Sequence, residues 1–181
     1  RLKNQALGAI ILAVLAIMAY IWFRFTEFKF AVGAVLALVH DVIITVGFLT
    51  GFGIFPIREF SIPLIAALLT IVGYSLNDTI VVFDRIRENA RLYRGLAYET
   101  LVNHSIVQTL DRSINTQLTV MLTLLALALF GGSTIRHFVI ILLIGVFSGT
   151  YSSIFNAAPI LVVWENKEWQ NWFRRGKTAE A

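Results

Sequence analysis

Five long apolar stretches dominate this 181-residue sequence, and they decide what it can fold into. A membrane-crossing helix needs about 20 mostly apolar residues, because roughly 30 Å of hydrocarbon is crossed at about 1.5 Å per residue. Residues 6–23, 30–55, 60–83, 114–135 and 137–164 each meet that length. Of the 26 charged residues (15 Lys and Arg, 11 Asp and Glu), only Asp41 and Asp78 fall well inside a stretch. Apolar side chains make up 57% of the chain and charged ones 14%, against roughly 25% charged in a soluble domain. A soluble helical bundle would show one polar stripe on each helix, and residues 6–23 and 114–135 lack one. The expected fold is therefore all-α, a polytopic helical membrane bundle with five transmembrane helices over residues 1–166. A basic tail follows at 167–181. The last span, at 28 residues, is expected to be tilted, kinked near Pro159 or partly interfacial.

The connectors give an orientation. Alternating crossings put Arg24, Lys29, Arg85, Arg87, Arg91, Arg94, Arg112, Lys167, Arg174, Arg175 and Lys177 on one side, 11 of the 15 cations. The positive-inside rule makes that side cytoplasmic, with the C-terminus. The N-terminus then lies outside. Because the chain starts at Arg1 with no signal peptide, at least one earlier span is expected upstream. The long connector, residues 84–113, is expected to continue the third span, break at Gly95, and form an amphipathic segment over about 96–111. Val102, Ile106 and Leu110 repeat there every fourth residue. That segment lies on the membrane face or on its own bundle, or is a plain surface linker.

Other chemistry is disfavoured. With no cysteine, disulfide scaffolds, Fe–S clusters and Cys–zinc sites are excluded. No phosphate-binding glycine loop or His-Glu-x-x-His motif occurs, and no nucleophile–base pair is visible, so an enzyme is not expected. Cytoplasmic arginines that alternate with Asp84 and Glu88 suit anionic lipid headgroups better than nucleic acid.

The intramembrane acids are the candidate functional groups, since each costs about 2.5–3.5 kcal/mol at mid-span. Asp78 sits roughly 9 Å from the cytoplasmic end of its span. Asn77 is beside it, with Tyr74 and Thr70 on the same face. Arg112 opens the next span and is followed by Thr116, Thr119 and Thr123 on one face. If these helices pack, Arg112 reaches Asp78, and protonating the acid releases the arginine. The alternative is that Asp78 only bonds a neighbouring helix. Asp41, preceded by His40, is a second relay group or a structural hydrogen-bond partner. Gly145 and Gly149, like Gly47 and Gly51, are spaced for close helix contact.

Three segments carry a family resemblance. Leu38-Val39-His40-Asp41-Val42-Ile43-Ile44-Thr45 is similar to the third span of the SecF family of the bacterial Sec protein-export machinery. Gly73-Tyr74-Ser75-Leu76-Asn77-Asp78-Thr79, running on to Asn89, is its most specific mark. Asp111-Arg112-Ser113-Ile114-Asn115-Thr116 resembles the start of its fifth span. The resemblance covers nearly the whole chain in order and implies the resistance-nodulation-division superfamily, with a first span and a periplasmic domain missing here. It implies SecD, separate or fused, the SecYEG translocon and exported preproteins as partners, and the bacterial inner membrane as location. It implies no cofactor, and a proton, or sodium in its place, as the coupling ion. By this likeness Asp78 carries the proton and Arg112 is its regulatory partner. The positions of the other polar residues add Asn77 and Asp41 to the candidate relay, with Thr116, Thr119, His40 and Tyr74 as polar support. The rival expectations are half of a small-molecule or lipid exporter of the same superfamily, and a non-transporting structural subunit of a translocon.

Overall fold

The structure is a computed structural model, and it describes residues 2–25, 27–51 and 62–166. Among them every regular element is helical: α1 (Leu2–Phe25), α2 (Phe28–Gly51), α3 (Ile62–Leu92), α4 (Tyr98–Phe130), α5 (Ser133–Ser152), a π-helical turn (Ser153–Ala157) and α6 (Ala158–Glu165). α2, α3, α4 and the run Ser133–Glu165 are each long and apolar enough to cross a membrane. α1 adds a fifth helix of 24 residues, about 36 Å at the α-helical rise. The result is an all-α membrane bundle.

α3 and α4 are longer than a bilayer requires. They have 31 and 33 residues, about 46 and 50 Å. Both run past the apolar region as a hairpin closed by residues 93–97. The expected amphipathic segment at 96–111 is not a separate element: from Tyr98 it is the first half of α4. No glycine or proline interrupts 98–130, so nothing in the backbone stops the helix. The segment lies on its own bundle, burying Leu101 and Val102. The turn into α5 lies earlier than the expected boundary between spans 114–135 and 137–164. Gly131 and Gly132 suffice, Gly132 at φ 78°, and a Cβ on Gly131 would sit 2.4 Å from the Leu127 carbonyl oxygen. Ile135 and Arg136 already belong to α5.

The last span departs from regular α-helix just before Pro159. Pro159 has no N–H for the carbonyl of Phe155, and its ring crowds that oxygen. The widened π-turn at Ser153–Ala157 takes up the mismatch. The connector at residues 52–61, including Arg58, and the tail from 167 lie outside the described residues.

Two apolar cores hold the helices. One gathers Phe25, Phe30 and Phe83, with ring centroids 5.2–6.3 Å apart, and adds Leu101, Val102 and Leu161. The other joins Leu49, Ala67, Ile71, Leu124 and Val146. Small residues let the helices close. A Cβ on Gly145 would lie 2.1 Å from Ile71 Cδ1, and one on Gly149 would lie 3.1 Å from Ser75 Cβ. At Gly47 and Gly51, expected to behave alike, a Cβ would meet nothing within 4 Å among the described residues. Along α2, α3, α4 and α5 alike, the residues between the two cores are polar: Asp41 and Thr45, Ser75 and Thr79, Ser113 and Gln117, Ser152 and Ser153 are all buried.

Candidate functional site

This polar layer contains both intramembrane acids. α3 presents Ser75 and Thr79 towards α2 and the π-turn, and Asp78 towards α4. Asp78 Oδ1 accepts a hydrogen bond from Ser113 Oγ at 2.7 Å. Its Oδ2 is buried with no partner among the described residues. Tyr74, Asn77, Asp78, Arg112, Ser113 and Thr116 line a cavity of about 60 Å³, large enough to admit water. Five of the expected site residues thus meet at one place. Arg112, however, is exposed and does not close an ion pair with Asp78 within 4.0 Å. It stands across the cavity from the acid while Ser113, one residue on, makes the direct bond.

Thr119 does not join the site, which corrects the expected polar line on α4. Thr119 and Thr123 are exposed, and each hydroxyl donates back to its own helix, to the Asn115 and Thr119 carbonyls at 2.9 Å. The buried polar stripe of α4 is one residue away from that line: Ser105, Thr109, Ser113 and Gln117. Gln117 is the connector that sequence reasoning missed. Its Oε1 accepts from Thr150 Oγ1 at 2.5 Å and from Tyr74 Oη at 3.4 Å, and its Nε2 donates to the Val146 carbonyl at 3.2 Å. One amide therefore joins α3, α4 and α5 beside the Asp78 cavity. The repeat Ser105, Thr109, Ser113, Gln117 at intervals of four was the signal that could have found it.

Asp41 is more enclosed than Asp78, with no exposed surface. Ser75 Oγ donates a short hydrogen bond to its Oδ2, and His40 Nδ1 lies 3.4 Å from its Oδ1. The Ser152 hydroxyl also lies against it. Thr79 Oγ1 and Ser153 Oγ are 2.9 Å apart, and both donate to the Ser75 carbonyl, at 3.0 and 3.3 Å. Asp41 and His40 thus make a second polar cluster on the neighbouring face of α3, apart from the Asp78 cavity. Among the described residues no cluster of three or more His, Asp or Glu could hold a metal ion.

With this geometry in place, relatives can be compared. The family model described as "Protein export membrane protein SecD/SecF, C-terminal" matches residues 1–167. The chain belongs to this SecD/SecF family. It is 52% identical to the protein translocase subunit SecF of Anaerolinea thermophila, over 96% of this chain and 58% of that one. It is 49% identical to the protein translocase subunit SecDF of Thermus thermophilus, over 92% of this chain and 22% of that one. A crystal structure of SecDF in a super-membrane-facing form superposes with a TM-score of 0.84 at 46% identity, over 96% of this chain and 23% of the other. The chain thus spans a little over half the length of the curated SecF relatives it matches most fully.

Proposed function

We propose that this chain is the proton-responsive membrane half of a Sec protein-translocation subunit, acting with SecD to help exported polypeptides finish crossing through SecYEG. One observation carries the reading. Asp78, inside a span, has one oxygen held by Ser113 and the other buried without a partner among the described residues, beside a cavity that Arg112 shares. Such an acid is poised to exchange a proton. Ionised, it attracts Arg112; protonated, it releases it. A proton descending the membrane potential contributes about 2.3 kcal/mol per 100 mV, enough to bias a two-state helix pair.

The orientation follows from the cation-rich end of the bundle. There α1, α2, α3 and α6 are joined by Arg24–Asp84 at 3.6 Å, Lys29–Glu165 at 2.9 Å, and Arg87 donating to the Arg24 carbonyl at 3.3 Å. The positive-inside rule supports placing this end, with the C-terminus, in the bacterial cytoplasm, the bundle lying in the inner membrane. The exposed carboxamides of Asn77 and Asn115 leave a polar outer face on α3 and α4, which lipid tails do not satisfy. That face suits a second helical half, and the fused SecDF relatives support SecD as the half that covers it. The names of the relatives favour polypeptide export over a small-molecule or lipid exporter.

The test is a pulse-chase of a secreted protein in cells that carry the full-length protein. Asp78→Asn, at normal protein levels, is expected to slow export to that of the deletion strain, and Arg112→Ala to impair it. Normal export by Asp78→Asn refutes the proposal. Export that follows a sodium gradient and survives a proton uncoupler assigns the coupling ion to sodium instead.

A further inference from the structure

The Asp78 switch leaves one titratable group unused. Asp41 lies 13 residues into α2 from Phe28, about 20 Å along the helix, at mid-span. Every group that faces it is identifiable. His40 comes from α2, Ser75 from α3 and Ser152 from α5. The hydroxyls donate but do not titrate, so His40 is the one ionisable neighbour of Asp41 among the described residues. The nearest other acid, Asp78, turns its carboxyl to Ser113 on α4.

His40 differs from Asp41 in one decisive respect: its side chain is 37% exposed while that of Asp41 is 0% exposed. It lines a groove of about 700 Å³ with Leu36, Phe155, Asn156, Pro159 and Ile160, between α2 and the π-turn with α6. The groove continues to Trp164, eight residues or about 12 Å along the last span, towards the end of the bundle where Lys29 and Glu165 meet. The buried acid therefore touches the outside through a single imidazole.

We propose that Asp41 and His40 form a second proton-binding site, loaded from the α2–α6 groove through the His40 ring and separate from the Asp78 cavity. Together the two side chains hold one proton, either on the carboxyl beside a neutral ring or on the ring beside a carboxylate, and both arrangements are neutral overall. Loading needs no co-reactant. The ring takes a proton on the nitrogen turned away from Asp41 and passes the proton on Nδ1 to Oδ1; the reverse order unloads it. Ser75 keeps its hydrogen bond to Oδ2 in either state. Because Ser75 and Asp78 share one turn of α3, occupancy at Asp41 bears on the same helix as the Asp78 switch.

The experiment is pH-difference infrared spectroscopy of the full-length protein, reconstituted with its SecD partner in lipid nanodiscs and carrying Asp78→Asn. That background removes the other acid, so failure of the Asp78 mechanism and failure of this site are read separately. The expected result is a carboxylic C=O band that titrates and shifts in D₂O, and that Asp41→Asn abolishes. His40→Phe is expected to slow its exchange into D₂O on the order of 100-fold, and His40→Gln to slow it too, since a carboxamide keeps the contact but does not relay. The proposal is overturned if no titrating band depends on Asp41, or if exchange in His40→Phe equals that of the parent. Where Asp41→Asn does not assemble, the exchange rate in His40→Phe decides alone.

Discussion

Gly145 offers the sharpest test of the packing that holds α3 against α5. A methyl group there would approach Ile71 Cδ1 to 2.1 Å, Cγ1 to 2.5 Å and Cγ2 to 3.0 Å, three atoms of one side chain that cannot all move aside together. Overpacking of this kind costs about 1–3 kcal/mol. Replacing a mid-helix glycine by alanine returns about 0.5–1 kcal/mol through lower backbone entropy. Gly145→Ala is therefore expected to destabilise by up to roughly 2.5 kcal/mol. Gly47→Ala, where nothing among the described residues lies within 4 Å, is expected to be neutral or slightly stabilising. Ile71→Ala alone opens a cavity at a fully buried position and should cost about 2–5 kcal/mol. In the double variant the new methyl enters that space, so its cost should fall below the sum of the two by about 0.5–3 kcal/mol. Equilibrium unfolding of the full-length protein in mixed detergent micelles, run as a double-mutant cycle, measures all four. If Gly145→Ala is as stable as Gly47→Ala, or if the two sites add without coupling, the α3–α5 contact described here is wrong.

Three further changes separate positions that the structure treats differently. Ser113→Ala removes the one hydrogen bond to the Asp78 carboxyl among the described residues and should impair export at normal protein levels, whereas Thr119→Ala, which loses only a bond within its own helix, should leave export unchanged; a pulse-chase reads both. Gln117→Leu leaves the Tyr74 hydroxyl without its acceptor, takes the Gln117 donor from the Val146 carbonyl and turns the Thr150 hydroxyl back to that same carbonyl, so thermal unfolding should show a loss of about 1–3 kcal/mol, with Gln117→Asn partly recovering it. Gly132→Val forces a β-branched residue to φ 78° and should destabilise by about 1–3 kcal/mol on the same thermal assay, while Ser133→Ala next to it should not.

Much of the fold was legible because bilayer length is a blunt constraint. Lengths and charge counts located the helices, and Pro159 marked where the last one leaves regular α-helix. What escaped was which way each helix faces. In a chain with lipid outside and apolar cores inside, hydrophobic periodicity loses its contrast. The α4 stripe was therefore placed on Arg112, Thr116, Thr119 and Thr123, one residue, or about 100°, from the buried stripe of Ser113 and Gln117. The continuity of α4 escaped for a related reason: a change from polar to apolar composition near residue 113 suggested two elements, but composition does not break a helix. The cavity around Asp78 was partly foreseeable, since Tyr74, Asn77 and Asp78 share a turn and Arg112 and Thr116 follow one face. That Ser113 rather than Arg112 makes the direct bond depends on side-chain direction across the α3–α4 contact, which sequence spacing does not encode. Gly47 and Gly51 had the same spacing as Gly145 and Gly149, yet among the described residues only the latter pair met a neighbour.

The account turns on whether Asp78 passes protons. The most direct measurement is proton uptake into liposomes that contain the full-length protein and its SecD partner, followed with a trapped pH-sensitive dye after a potential is imposed. Wild type should acidify the lumen, and Asp78→Asn, reconstituted to the same level, should leave it at the rate of empty liposomes. Uptake by Asp78→Asn equal to wild type would contradict the account.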